Sequence, residues 1–410
     1  MICSRLLRSG ESFFLCWVLV LLLVTACARR PEPYIPTPPQ IKAPVEKLQP
    51  VTWQDLPGWM DDDMQPALSA FITSCPSLRK HPEWLAACQE AQEVDLQDGL
   101  AVRNFFQSRF IPHRLNNPDG TDRGLITGYY VPDLMGSRTP TERFRYPILG
   151  VPDDLLVIDL GALHPDLKGR RLRGRLDGRR VVPYWSRAEI DAGQAPLEGK
   201  ELFWVEDPVE LFFLHIQGSG RISLPDGERI MVNYADQNGH PYRSIGKLLL
   251  ESGALTRDQM SLQNIKAWGK QHPEQVKRLL GENPSYVFFA SAGEDLTSPP
   301  GALGYPLTPE RSLAIDPSAI PLGAPVFIAT TWPYSSQPLQ RLMVAQDTGG
   351  AIKGTVRADF FWGLGNEAGA RAGRMKQEGR LWVLLPRSDQ TATTELSSAA
   401  DSSFQGRNRP

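Results

Sequence analysis

The sequence has little of what metal-dependent and nucleic-acid-binding proteins rely on. Its 410 residues include six histidines and five cysteines, and the formal net charge is −2. A chain this close to neutral has no electrostatic feature that indicates a nucleic-acid partner. The histidines show no metal-ligand spacing and no His-Glu-x-x-His motif occurs, so we predict neither a metal site nor a cofactor.

The sequence motifs of common hydrolases are also missing. Gln217-Gly-Ser-Gly220 lacks the first glycine of a Gly-x-Ser-x-Gly elbow, and no phosphate-binding loop is present. Asp347-Thr-Gly349 resembles the Asp-Thr-Gly of aspartic proteases, which need two such aspartates that share a proton. The chain has one copy and is too long for the small dimeric type. Carboxylates on β-strands remain as the candidate catalytic groups.

The first 26 residues have the pattern of a lipoprotein signal peptide. An apolar run from Phe13 to Val24 follows a basic start and is shorter than the ~20 residues of a membrane span. It ends in Leu23-Val-Thr-Ala-Cys27, which resembles the lipobox of bacterial lipoproteins. That resemblance implies lipid attachment at Cys27, and the absence of Asp after Cys27 favours the outer membrane. An ordinary cleaved signal with an incidental cysteine is the alternative.

Two segments have a composition that is typical of residues outside a folded domain. Residues 27–52 are rich in proline, which predicts an extended tether between a membrane anchor and a catalytic body. Residues 388–410 are rich in Ser, Thr and Ala without apolar periodicity, which predicts a disordered tail.

The region after the tether is predicted to be helical. Apolar spacings of three and four indicate helices over 64–75, 82–91 and 96–110. Cys75 and Cys88 are the cysteines that remain beyond Cys27, and in an oxidising compartment they indicate a local disulfide across a helical hairpin. Two free buried thiols are the alternative.

The middle of the chain is predicted to be mostly β, with helices returning over 244–252, 256–269 and 273–280. The run from Phe212 into the Gly-rich corner at 218–220 is interpreted as an apolar strand, with His215 as a core residue. Residues 168–180 form a basic patch, which is either a solvated face or a contact for an anionic polymer.

The stretch from 343 to 363 is the strongest candidate for chemistry. It predicts two strands around a Gly-rich turn, and residues 355–362 alternate strictly between two faces. Asp359 lies among aromatic β-formers, which would desolvate the carboxyl and raise its pKa, as a general acid requires. The alternative is that Asp359 points to solvent from the polar face of the strand.

Together, several segments resemble the membrane-bound lytic murein transglycosylase A family, including its three-aspartate domain, from about residue 53 to 385. The matching segments are Thr127–Pro132, His215–Gly220, Asn238–Lys247, Ala314–Gly323, the segments around Asp347 and Asp359, and Glu367–Gly373.

The resemblance implies a mainly β protein with flanking helices (α+β). It implies a double-psi β-barrel domain from residues 53–133 and 289–387, a smaller β domain at 134–288 inserted into it, and a substrate groove between the two. It also implies an outer-membrane lipoprotein that faces the periplasm of a Gram-negative bacterium. The expected partner is a peptidoglycan glycan strand, with other cell-wall proteins left open.

The resemblance further implies an exotransglycosylase of the lyase class. It would cleave the β-1,4 bond between N-acetylmuramic acid and N-acetylglucosamine and leave a 1,6-anhydro ring, with a single Asp as acid and then base. By position in the motif, Asp359 takes that role, Asp347 supports it and Asp316 pins a barrel loop; a swap of Asp347 and Asp359 stays open. The residues expected to line the groove are Thr127, Gly128, Tyr129, Gln217, Gly218, Ser219, Gly220, Gly349 and Gly350. A non-catalytic peptidoglycan-binding lipoprotein and a hydrolase on a related barrel are the alternatives.

Overall fold

The computed structural model describes residues 46–167, 170, 172–292 and 298–387. The predicted signal peptide, Cys27, most of the tether, part of the basic patch and the tail at 388–410 lie outside the described residues. Within the described ranges, no helix combines the length and apolar character that a membrane span needs.

Strands are the main element of the described chain. Their bounds are β1 Leu48–Pro50, β2 Phe110–Leu115, β3 Gly124–Val131, β4 Asp133–Ser137, β5 Tyr146–Leu149, β6 Leu156–Ile158, β7 Leu172–Asp177, β8 Arg180–Pro183, β9 Glu201–Val205, β10 Ser219–Ser223, β11 Arg229–Gln237, β12 Val287–Ala292, β13 Ser312–Ile315, β14 Pro325–Thr331, β15 Pro338–Thr348, β16 Ala358–Leu364 and β17 Lys376–Pro386. The α-helices are α1 Gln65–Leu78, α2 Pro82–Ala91, α3 Gly99–Arg109, α4 Arg187–Asp191, α5 Pro208–Gln217, α6 Ile245–Glu251, α7 Leu262–Gln271, α8 Pro273–Gly281 and α9 Gly365–Ala372.

Six strands close into a barrel in the order β17-β14-β15-β13-β16-β3, because β3 also pairs with β17. The pairing is mixed: β13 runs parallel to β15 but antiparallel to β16, and β16 runs parallel to β3. Closure leaves these strands without a free edge, and β1 and β2 extend the sheet from β17. The mainly β fold with a barrel is confirmed, while the double-psi connectivity stays a prediction.

The helices α1 to α3 cover the barrel with an aromatic cluster. The ring of Phe71 on α1 lies 5.7 Å from that of Phe110 and 6.2 Å from that of Phe105. A disulfide joins Cys75 of α1 to Cys88 of α2. The three helices lie close to the predicted ranges, although α1 continues to Leu78, three residues beyond the expected end.

A second, six-stranded sheet has the order β12-β11-β10-β4-β9-β5, and β6, β7 and β8 form a separate small sheet. All of these strands come from residues 133 to 292, between the barrel strands β3 and β13. The strand β12 continues past the predicted boundary at 288, and the inserted domain stays a prediction. The last residues of the predicted tether also differ from expectation, because β1 pairs with β2.

The run from Phe212 to the Gly-rich corner was predicted as a strand, and this is wrong: its residues up to Gln217 belong to helix α5, with His215 buried on it. Asp207 accepts hydrogen bonds from the first backbone amides, and Gly218 ends the helix at a φ of 79°. The helix is apolar nearly all round because Leu211 and Leu214 pack on the second sheet while Phe212 packs against α6 to α8. A run buried on both sides has no periodicity to mark it as a helix.

A buried ion pair fastens the N-terminal region to the barrel. The guanidinium of Arg311 donates to both carboxylate oxygens of Asp62 at 2.9 and 3.0 Å and to the backbone carbonyl of Leu342 at 2.7 Å. Both side chains are less than a tenth exposed.

We expect Asp62→Ala to lower the free energy of unfolding by about 3–5 kcal/mol, because it leaves the buried Arg311 charge without its partner. Glu378→Ala is the matched control: it breaks an exposed ion pair with Arg123 and should cost below ~1 kcal/mol. Urea unfolding of both variants checks this, and equal losses would contradict it.

Candidate active site

Two aspartates and a threonine lie in one line across four barrel strands. Asp347 of β15 and Asp359 of β16 both pair with Ala314 of β13, from opposite sides. Thr127 of β3 pairs with Asp359. Directly paired residues project from the same face of a sheet, so these side chains share a face. Ala314 separates the two aspartates with only a methyl group, and the strands that carry them are ~10 Å apart.

Asp359 is partly buried and keeps one oxygen available. Its Oδ1 accepts a hydrogen bond from Oγ1 of Thr127 at 2.6 Å, and that hydroxyl accepts one from Nη2 of Arg357 at 2.8 Å. None of the hydrogen bonds seen among the described residues engages Oδ2 of Asp359. Burial raises the pKa of Asp359, and the Thr127 bond and the Arg357 charge oppose that rise.

Asp347 is held by three donors. It accepts hydrogen bonds from the Tyr129 hydroxyl at 2.9 Å, the Ala302 amide at 3.1 Å and the Thr348 amide at 2.9 Å. Burial raises the pKa of Asp347 to about 6; the three donors oppose this rise, and the charge of Asp359 adds to it. Burial and the two carboxylates also raise the pKa of Tyr129 well above its usual value, which keeps its hydroxyl a neutral donor.

This face of the barrel is turned toward the second sheet. Phe360 and Trp362 of β16 pack in the barrel core, whereas Phe361 packs with Tyr129 and with Met231 of β11. The two-face alternation predicted for this strand is therefore confirmed over the residues that form β16. Asp359 shares its face with Phe361, so it lies beside the junction of the two sheets and not on an open solvent face.

The predicted groove residues of the second sheet reach the same junction. The side-chain oxygen Oε1 of Gln217, at the end of α5, accepts a hydrogen bond from the backbone amide of Tyr130 at 3.0 Å. Ser219 pairs with Asn233, on the face of β11 that also carries Met231. The side-chain oxygen of Asn233 is buried and has no partner among the described residues, so it is available to a ligand donor.

The glycines assigned to the groove differ in their surroundings. A Cβ on Gly128 would lie 2.6 Å from Nε1 of Trp362, so this residue faces the barrel interior, opposite to Thr127. Gly220 would meet Leu214 and Gly349 would meet Ile352, so packing explains both. Gly350 has open space around its Cα, and Gly218 supplies the left-handed helix end.

Asp316 lies at the end of β13, outside the line of paired residues. It accepts hydrogen bonds from the amide and hydroxyl of Ser318 at 3.1 and 2.8 Å and from the Gly354 amide at 2.9 Å. These bonds fasten the turn after β15 to the end of β13. No group of three or more His, Cys, Asp or Glu side chains within the described ranges could hold a metal ion.

Sequence reasoning missed three contributors to the site. Arg357 was given no role in the site, although the alternation of residues 355–362 already placed it on one face with Asp359. Ala302 supplies an amide from a distant loop, and Ala314 gives the spacing between the aspartates. Neither alanine carries a functional side chain, so only the backbone hydrogen bond of Ala302 and the strand pairing of Ala314 reveal their parts.

Comparison with known proteins finds two family models that match this chain. A family model described as "MltA specific insert domain" matches residues 125–290, and one described as "3D domain" matches residues 311–385. Membrane-bound lytic murein transglycosylase A of Escherichia coli K12 is 36% identical over 296 residues, which cover 70% of this chain and 73% of that protein.

Solved structures agree with this match. MltA from Neisseria gonorrhoeae is 39% identical with a TM-score of 0.71, over 83% of this chain and 91% of that one. E. coli MltA with bound chitohexaose is 30% identical with a TM-score of 0.65, over 85% and 97%. The chain belongs to the membrane-bound lytic murein transglycosylase A family.

Proposed function

We propose that this chain is a lytic transglycosylase that cleaves peptidoglycan between N-acetylmuramic acid and N-acetylglucosamine and leaves a 1,6-anhydro end. The observation that carries the proposal is the desolvated Asp359 at the junction of two sheets. Asp359 and Asp347 pair with Ala314 from opposite sides. The name of the E. coli relative and the chitohexaose bound to an E. coli structure support the substrate class.

Hydrogen bonding favours Asp359 over Asp347 as the acid. Burial raises the pKa of both, and it brings Asp347 to about 6. Both oxygens of Asp347 are already engaged by three donors, an arrangement that holds it as a carboxylate. Among the described residues, Asp359 accepts one hydrogen bond, through Oδ1, so Oδ2 can carry a proton toward a substrate oxygen. We therefore assign the proton transfer to Asp359.

The proposed reaction needs one group that donates and then accepts. Protonated Asp359 gives its proton to the glycosidic oxygen as the bond from that oxygen to C1 breaks. The 6-hydroxyl oxygen of the same N-acetylmuramic acid then bonds to C1, and the Asp359 carboxylate takes the hydroxyl proton. The acid is regenerated and no water is consumed, because the sugar supplies its own nucleophile at high effective concentration.

Asp347 has an electrostatic part in this account. Its negative charge stands across Ala314 from Asp359, near the position where positive charge develops on the sugar ring. Tyr129 and the two amides fix the carboxylate so that it does not need to reorganise during the reaction. The buried charge of Asp347 lowers the stability of the fold, and the site keeps it because the reaction uses it.

The remaining sequence inferences complete the proposal. A lipid on Cys27 would anchor the chain to the periplasmic face of the outer membrane, and the Pro-rich tether would let the catalytic part reach the wall. The names of the membrane-bound relatives support an envelope location. We include three further features in the same proposal: the double-psi connectivity of the barrel, the limits of the inserted domain, and Asp316 as the residue that pins a barrel loop.

We expect Asp359→Asn to reduce release of anhydro-ended fragments from purified peptidoglycan by at least about 10³-fold, because the amide cannot donate and then accept the proton. Mass spectrometry of the products measures this, with Asp61→Asn as an exposed control that should stay fully active. Reducing ends, heavier by one water, would show hydrolysis, and intact strands with wild-type protein would show binding only. Activity retained in Asp359→Asn would assign the role to Asp347.

Thr127→Val should shift the pH profile upward. The Thr127 hydroxyl lowers the pKa of Asp359, so its removal lets the acid keep its proton to higher pH. The basic limb of kcat/KM is expected to move to higher pH, with a lower maximum. Thr127→Ser, which keeps the hydroxyl, should restore the limb; a limb that stays in place or moves down contradicts the assignment.

Asp347→Asn should stabilise the fold at high pH. The folded pKa of about 6 lies above the unfolded ~3.9, so the contribution of Asp347 to stability is full below pH ~4 and is lost as pH rises through 6. We expect the variant to gain about 1–2 kcal/mol in free energy of unfolding at pH 8 and nothing at pH 4. Urea unfolding at both pH values tests this, and a gain that is independent of pH would be the contrary result.

A further inference from the structure

A cavity of about 880 Å³ opens on the helices α6 to α8, and none of its lining residues belongs to the aspartate site. Its apolar floor includes Leu249, Leu255 and Leu279, which pack on the cluster beneath these helices. The wall carries Trp268 and His272. An apolar floor with a few convergent polar groups is the usual composition of a small-molecule site.

Trp268 is held as a fixed platform in this wall. Its ring stacks on the imidazole of His272 with centroids 5.2 Å apart and planes 23° from parallel. The Nδ1 atom of His272 is 2.9 Å from the carbonyl oxygen of Trp268, which ties the ring to the end of α7. Because His272 also begins α8, the platform is set by the joint between two helices. A ligand that stacks on it meets a ring already in place.

The rim of the cavity is rich in amides and also carries two charged residues, Arg278 and Glu282. Gln259, Asn264, Gln271 and Gln275 line it, and each side-chain amide both donates and accepts hydrogen bonds. The charge of Glu282 is paired with Arg243. The amides suit a ligand with many hydroxyl and acetamido groups, and the indole suits the apolar face of a sugar ring.

The cavity is linked rigidly to the aspartate site. Lys266, two residues before Trp268 on α7, pairs with Asp207 and Glu210 at the start of α5. Gln217 at the other end of α5 bonds to Tyr130 of β3, beside the candidate groove. Ten helical residues span ~15 Å, so one short helix sets the separation of the two places.

We propose that this cavity is a second binding site for the N-acetylated glycan strand, which holds a sugar of the polymer away from the site of cleavage. The inference rests on the proposed function, since it names where a long substrate of that reaction makes its additional contact. Once one sugar of a strand is bound, the other sugars of that strand are at a high local concentration near the second site. A long strand that reaches both sites therefore binds more tightly than a short one that reaches only one.

The test compares long and short substrates. The length ratio is kcat/KM for long glycan strands divided by kcat/KM for a tetrasaccharide. We expect Trp268→Ala in the full-length protein to lower this ratio by about tenfold, because KM for the long strands rises. Trp268→Tyr should restore part of the ratio, because it keeps an aromatic platform. Circular dichroism confirms that each variant is folded.

Direct binding supplies the second readout and a matched control. In the Asp359→Asn background, calorimetry with chitohexaose should show two classes of site, and Trp268→Ala or Gln275→Glu should remove one. Gln89→Glu, an exposed glutamine on α2, should change neither binding nor the length ratio. One class of site with an unchanged length ratio in Trp268→Ala overturns the inference while the enzyme still forms anhydro ends. Absence of those ends in wild type instead refutes the proposed function.

Discussion

The pairing of β13 between β15 and β16 is the constraint on which the rest of the site depends. This strand has four residues, all of them buried, and it runs parallel to one neighbour and antiparallel to the other. Its Ala314 brings Asp347 and Asp359 to a common face with one methyl group between them. Burial raises the pKa of both carboxyl groups, and the charge of Asp359 adds to the rise at Asp347.

The packing behind these strands keeps the arrangement rigid. Gln346 points away from the site and donates from Nε2 to the carbonyl of Ala70 and to Oγ of Ser74, both on α1. Its Oε1 accepts from the hydroxyl of Ser312, which ties β15 to β13 directly. On the other face, aromatic side chains meet the second sheet and shield the carboxylates. The site is thus supported by buried contacts from both sides.

Local patterns in the sequence predicted part of this structure. Helices α1 to α3 and the alternation of β16 follow from short-range periodicity, and the chemistry of Asp359 followed from its aromatic neighbours. Helix α5 was missed because its apolar run faces two cores, although Asp207 and Pro208 were signals of a helix start. The register that unites Thr127 and Asp359 joins residues 232 positions apart, and no local pattern encodes it.

A direct measurement of the Asp359 pKa tests the central claim. Aspartate-selective ¹³C labelling lets the Asp359 side-chain carbon be followed by NMR across pH, with Asp359→Asn used to assign the signal. We expect a midpoint above the usual value of ~4 for an aspartate. A midpoint at or below that value would contradict the account, because the carboxyl would then hold no proton to give.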